Sequence, residues 1–333
     1  MTPKPDDGNP GLEAGPVFPA LPAFPAFWPL WEQAERGLAR LESRLQALPP
    51  ASPVRAGWQE RALLAESVGS AALEGAYLEG DRLALWELDA DGAPPDGALG
   101  VGLGILRALR ALAREGVAAS DSAEGIHALH QRCCGGGRRP LSPDENRRLA
   151  FWQRWLDGPL AAAPALPAAA LALAGWHGGV GLRHGGGSGR CLVNAFLWRR
   201  GVMSGPWLPL ARGFAALPLS AYRPQGPDTA LWLDVFLRAM LLGVERAEQE
   251  LAGLLRLEAR LTAPSQTRRR HSRLPQVGAL LLAAPAVSPG TVARHLGLSR
   301  RGAVLLLEEL VRCGIAEEAS GRERFRVYRA ARG

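Results

Sequence analysis

Between residues 288 and 314 the chain sets two helix starts and two helix stops, and that spacing leaves room only for short helices. Ser288 followed by Pro289 is an N-cap with proline in the first helical position, and Gly297 ends the helix in a tight turn. Ser299 caps a second helix, which Gly314 stops after Cys313. Upstream, Val277, Leu280 and Leu281 recur at helical spacing from Gln276 until Pro285 closes the segment. Downstream, 315–318 and 324–328 read as strands around the turn Ala319-Ser320-Gly321, with Phe325 and Val327 facing in and Arg324, Arg326 and Tyr328 facing out. The second capped helix buries Ala303, Leu306, Leu307 and Leu310 and shows Arg300, Arg301, Glu308 and Arg312 on its other side. Residues 276–333 are therefore expected to form a small α+β unit.

Charge singles out the same unit. Residues 264–333 hold thirteen arginines and five glutamates, a net +8 in a chain whose total is +7, so the remainder carries −1. A positive field confined to one small domain suits an anionic polymer, because neutralised phosphates release counterions. A short helix, a glycine turn, a capped helix with basic residues in its first turn, and a basic hairpin make a winged helix-turn-helix. Its second helix is expected to enter the major groove of double-stranded DNA by its N-terminal end. The residues expected at that contact are Ser299, Arg300 and Arg301 on the helix, Arg322, Arg324 and Arg326 on the hairpin, and Arg268, Arg269 and Arg270 in a basic linker over 263–275.

The rest of the chain reads as mainly α. Residues 1–30 are rich in Pro and Gly and expected to be disordered, and 31–262 is expected to be one all-α domain. Helical spacing places helices from Leu30 to Leu45, from Trp58 to Leu78, through Leu103 to Leu112, around Ile126 to His130, from Leu166 to His177, from near Arg190, and from Ala230 to Leu261. Gly178 to Gly189 reads as a glycine-rich loop. Trp152, Trp155, Trp176, Trp198, Trp207 and Trp232 are expected to fill the helical core or its rim. Cys133, Cys134, Cys191 and Cys313 match neither a disulfide framework nor a zinc spacing, and His127 with His130 lacks a third ligand, so no metal is expected. The N-terminal residues are unlike a signal peptide and no uninterrupted apolar run is long enough to span a membrane, so the expected location is the cytoplasm.

Several short segments, in order along the chain, resemble the Fic family. Ser70-Ala71-Ala72-Leu73-Glu74-Gly75 is similar to that family's Ser-x-x-x-Glu-Gly inhibitory helix, and Ile126-His127-Ala128-Leu129-His130 to its helix ending in Leu-His. Gly187-Ser188-Gly189-Arg190 resembles the Gly-Asn-Gly-Arg end of its core motif, and Trp232-Leu233 with Phe236 its later helix. The segment Gly321 to Tyr328 is similar to the winged-helix ending of many members, including a rhizobial-type group of degenerate ones. The resemblance implies a Fic-like helical domain followed by the small winged helix. It also implies AMP transfer from ATP to a protein hydroxyl, with a histidine as general base, an acidic residue holding Mg²⁺, and glycine amides with an arginine cradling phosphate.

A gap-free alignment over 182–193 removes most of that machinery. The base position becomes Leu182, the metal ligand Gly186 and the second arginine Val193, which leaves Glu74 without its expected arginine partner. His184 would serve as base only with a shorter loop, and no acid lies between it and Arg190. The expectation is a DNA-binding transcriptional regulator with a catalytically degenerate Fic-like domain, no cofactor and a capacity for self-association. Two alternatives stay open: an AMP transferase using His184 with ATP and Mg²⁺, and a non-catalytic, antitoxin-like interaction module. Gly187, Ser188, Gly189 and Arg190 read either as an anion-binding helix start or as a plain flexible loop.

Overall fold

The computed structural model describes residues 27–78, 80–88, 97–135, 140–182, 185–226, 228–263, 273–320 and 326–331. Most of the segment expected to be disordered, 1–26, lies outside these residues, and from Trp28 the chain is already helical. Helix α1 (Trp28–Gln46) buries Ala34, Leu38, Leu41 and Leu45, spaced three and four apart. Helix α2 (Pro53–Leu73) starts five residues earlier than its apolar pattern suggested. Ser52 Oγ accepts from the Arg55 amide at 3.3 Å and Pro53 takes the first turn, where its missing N–H costs nothing. It also ends earlier, at Leu73, with Gly75 at φ 79°.

Helices α3 (Gly80–Leu88), α4 (Gly97–Glu115), α5 (Ala123–Cys134) and α6 (Pro143–Asp157) follow. Helix α6 is absent from the reading of periodicity, although Ser142 and Glu145 form a capping box at its start. Helix α7 (Ala165–Gly175) is apolar on every side and buried from Leu166 onward, as expected of a central helix. Around it the indoles of Trp152, Trp232 and Trp176 donate to the carbonyls of Ala172, Ala170 and Gly185. Trp207 is buried too, while Trp155 and Trp198 pack at the rim.

Helix α8 (Gly186–Arg199) begins four residues before Arg190, so the glycines expected in a loop form its first turn. Helix α9 (Leu210–Phe214) is a short brace against α2 and α10 (Thr229–Thr262), the latter 34 residues and about 50 Å long. Asp228 caps α10, and its buried face runs from Trp232 to Leu261.

The C-terminal unit comprises α11 (Leu274–Ala283), α12 (Pro289–Leu296), α13 (Arg300–Arg312) and an antiparallel pair, β1 (Ala316–Glu318) and β2 (Tyr328–Ala330). Ser288 and Ser299 accept from the amides of Thr291 and Gly302, and Gly297 takes the left-handed turn at φ 62°, as the spacing predicted. The second strand lies later than expected: Ala316 pairs with Ala330 and Glu318 with Tyr328. Tyr328 is buried, not outward, because its backbone also pairs with Val287 at 2.8 and 2.9 Å, which draws the strand across the core. Leu306 is only half-buried.

This unit is docked on the helical domain. The two share one apolar core, to which Leu257 and Leu261 of α10 and Leu274, Val277 and Leu281 of α11 belong, and Leu261 packs against Gly278. Gly57 is required at the contact, since a Cβ there would lie 1.7 Å from the Leu282 carbonyl. Among the described residues no helix is long and apolar enough to cross a membrane.

Candidate nucleic-acid interface

Arginines from the helical domain hold two helix ends of the winged helix. Arg61 of α2 donates to the carbonyls of Leu281, Leu282 and Ala284 at the end of α11, at 3.1, 2.8 and 2.7 Å. Arg260 of α10 donates to Cys313 and Gly314 at the end of α13, at 2.6 and 3.0 Å. Both satisfy carbonyls that a helix leaves unpaired and place a cation at the negative end of its dipole. With its C-terminus fixed on α10, the thirteen-residue α13 carries its N-terminus about 20 Å away.

That N-terminus is open. Ser299, Arg300 and Arg301 are all exposed, and Leu305, one turn further on, is 58% exposed. Arg294 and His295, in the last turn of α12, are exposed as well. The sequence reading missed that pair, though Arg294 falls on the side of α12 opposite Val292. It also missed Arg61 and Arg260, which no local pattern marks.

Of the hairpin arginines, Arg326 pairs with Glu308 on α13 at 2.8 Å, which ties the hairpin to the middle of that helix. Arg322 and Arg324, and Arg268, Arg269 and Arg270 of the linker, lie outside the described residues. So does His184, the shifted-base candidate.

The glycine-rich helix start is packed from three sides. Gly186, Gly187, Ser188, Gly189 and Arg190 are all buried. A Cβ on Gly186 would lie 1.9 Å from Glu74 Oε1, one on Gly187 3.0 Å from Ile105, and one on Gly189 2.5 Å from the Trp176 ring. Arg190 turns inward: Nε donates to Ser70 Oγ at 2.8 Å, Nη2 to the Ser70 carbonyl and Glu74 Oε1, both at 2.9 Å, and Nη1 to the Tyr222 hydroxyl at 2.7 Å. Glu74 thus has an arginine partner, contrary to expectation, because Arg190 takes the place that Val193 cannot fill. Leu182 and Val193 are buried among apolar neighbours. For an incoming anion this is a poor start: the Glu74 carboxylate already rests on the first turn of α8, where the helix dipole favours negative charge. His130 Nδ1 hydrogen-bonds Ser188 Oγ at 2.8 Å, and Gln131 Nε2 donates to His127 Nε2 at 2.8 Å.

Burial shifts Glu66, His177 and Arg61 among other titratable groups. Glu66, fully buried on α2, accepts from the Ala211 amide at 2.6 Å, yet desolvation pushes its pKa up to about 8. His177 is drawn down to about 3 by burial and by the Arg190 charge. Arg61 is lowered to about 10 by burial, against the pull of Glu250.

The chain is a helical protein with a Fic-like fold that ends in a helix-turn-helix DNA-binding domain. Residues 274–329 match the family described as HTH DNA binding domain. The structure resembles that of a Fic family protein from Desulfovibrio desulfuricans, with a TM-score of 0.50 and 14% identity over 95% of this chain and 98% of that one. Such a likeness is one of fold. The chain is also 29% identical over 189 residues to the uncharacterized protein y4cF of Sinorhizobium fredii, a match covering 56% of this chain and about half, 48%, of that relative's length. The resemblance to a rhizobial-type group accords with that relative.

Proposed function

We propose that the protein is a DNA-binding transcriptional regulator whose Fic-like domain has lost AMP transfer and serves as a platform for the winged helix. One observation carries the reading: α13 is fixed at its C-terminus by Arg260 while Ser299, Arg300 and Arg301 stand exposed at its far end. Basic residues in the first turn of a projecting helix can meet phosphates and guanine edges in the major groove, and Leu305 beside them suits a thymine methyl. A single copy presents one such helix, so self-association would match two half-sites.

The loss of catalysis rests on the residues around α8. ATP with Mg²⁺ does not fit them. Leu182 cannot take a proton and Gly186 offers no metal ligand. Val193 cannot clamp a phosphate, and Glu74 occupies the face of Gly186. The test is to sequence DNA recovered with the tagged full-length chain and to measure its affinity by anisotropy. Replacing Arg300 and Arg301 with alanine should weaken binding at least tenfold; unchanged affinity rejects the assigned surface. In parallel, labelled ATP, Mg²⁺ and lysate should leave no labelled protein, and a labelled band that His184→Ala abolishes restores the enzyme reading.

A further inference from the structure

Where the winged helix meets the helical domain, the two line an open-sided cavity of about 490 Å³, within the size range of small-molecule sites. Its floor is one face of α2, where Ala62, Ala65 and Ala72 give up volume and Leu64 and Val68 are half-buried. Its roof is made of Pro285 and Ala286 before α12 and of Ala319, Arg329 and Ala330 at the hairpin.

The lining is unbalanced in charge. Among the described residues Arg61, Arg212, Arg246 and Arg329 line it, with Glu250 as the one carboxylate. Arg61 is committed to the α11 carbonyls and Arg329 to Glu317. Arg246 spends one nitrogen on the Arg212 carbonyl at 3.2 Å, and a guanidinium carries five N–H donors.

We propose that this cavity binds a small amphipathic anion, an apolar body bearing one carboxylate, with Arg246 at its head and Leu64, Ala65 and Val68 along its body. Apolar walls exclude water from the body, and a planar guanidinium fork suits a carboxylate held bidentately. Because both domains line the cavity, its occupant touches the α2 face and the hairpin at once, so binding is coupled to the placement of the winged helix. That last step rests on the regulator reading above; the site itself does not.

Octanoate serves as the probe, read by displacement of the dye 8-anilinonaphthalene-1-sulfonate from the full chain. The expected result is saturable binding at one site, with octanoate displacing the dye and octan-1-ol failing to do so. Arg246→Ala should weaken octanoate at least tenfold, and Ala65→Trp, which fills the floor, should abolish it while the thermal midpoint is kept. Equal displacement by octan-1-ol, or binding unchanged in folded Arg246→Ala, overturns the proposal; should Ala65→Trp fail to fold, Arg246→Ala alone decides. Coupling is read separately, as a change in affinity for recovered DNA on adding octanoate to wild type but not to Arg246→Ala. Octanoate binding as expected with no DNA binding by the protein would sink the regulator reading and leave the site standing.

Discussion

Arg61, on α2, donates to the carbonyl of Leu282, at the end of α11, across 221 positions of sequence and a distance of 2.8 Å. The contact lies beside Gly57, a glycine with no room for a methyl group. Burial lowers the Arg61 pKa only to about 10, so the group stays charged at neutral pH. Replacing it with methionine strands three carbonyls and should destabilise the chain by about 3 kcal/mol. The exposed Arg36→Met control should change stability by less than about 0.5 kcal/mol. Calorimetry decides between them, and equal effects would show that Arg61 clamps nothing.

Gly57→Ala probes the same junction from the backbone side. Its Cβ would meet the Leu282 carbonyl at 1.7 Å, so α11 must move away from α2. The expected loss is about 1–3 kcal/mol. Combined with Arg61→Met, the effects should fall short of additivity, since both loosen one contact. Strict additivity in a double-mutant cycle would mean that the two residues act on separate contacts.

Buried Glu66 and His177 give stability an unusual pH profile. Glu66 has its pKa raised from 4.5 to about 8, so the native state binds more protons than the unfolded one between those values, and stability falls as pH rises through that window. His177 is lowered from 6.5 to about 3, so its contribution is present above 6.5 and lost as pH falls toward 3. The two slopes oppose each other between pH 4.5 and 6.5, and only the glutamate acts from there to 8. Glu66→Gln keeps an acceptor for the Ala211 amide and should flatten the upper range. Denaturant midpoints measured from pH 5 to 8 check this, and a wild-type curve that rises above pH 7 contradicts the burial of an ionisable carboxyl.

The exposed end of α13 has a salt signature. If Arg300 and Arg301 each neutralise one phosphate, removing both should reduce the slope of log affinity against log salt by about two. Arg36→Ala should leave the slope alone. A loss of affinity with no change in slope would place these arginines elsewhere than on the phosphates.

Glu74→Ala leaves the guanidinium of Arg190, which has no solvent exposure, without its carboxylate. Ser70 and Tyr222 still accept from it, so the expected cost is about 3 kcal/mol, not loss of folding. The variant also uncovers the face of Gly186. On the proposed loss of catalysis, transfer from labelled ATP should still be absent, since that reading assigns the loss to Leu182 and Gly186 independently of Glu74. Labelled product in this variant would identify Glu74 as the sole block.

The sequence by itself determined those features that rest on a few adjacent residues. Serine caps at 288 and 299, the glycine stop at 297, the apolar stripes of α1 and α10 and the basic first turn of α13 are local preferences, and each reports its own few residues. Tertiary structure decided what long-range packing supplies. Gly186 to Gly189 read as a loop because glycine disfavours helix, yet Glu74, Ile105 and Trp176 fill the space that side chains would need, so the segment can be helical only where those neighbours stand. Tyr328 turned inward because Val287, forty-one positions earlier, completes its pairing. Arg61 and Arg260 looked like two arginines among many until the fold brought helix ends to them, for a capping bond across more than fifty positions leaves no trace in periodicity.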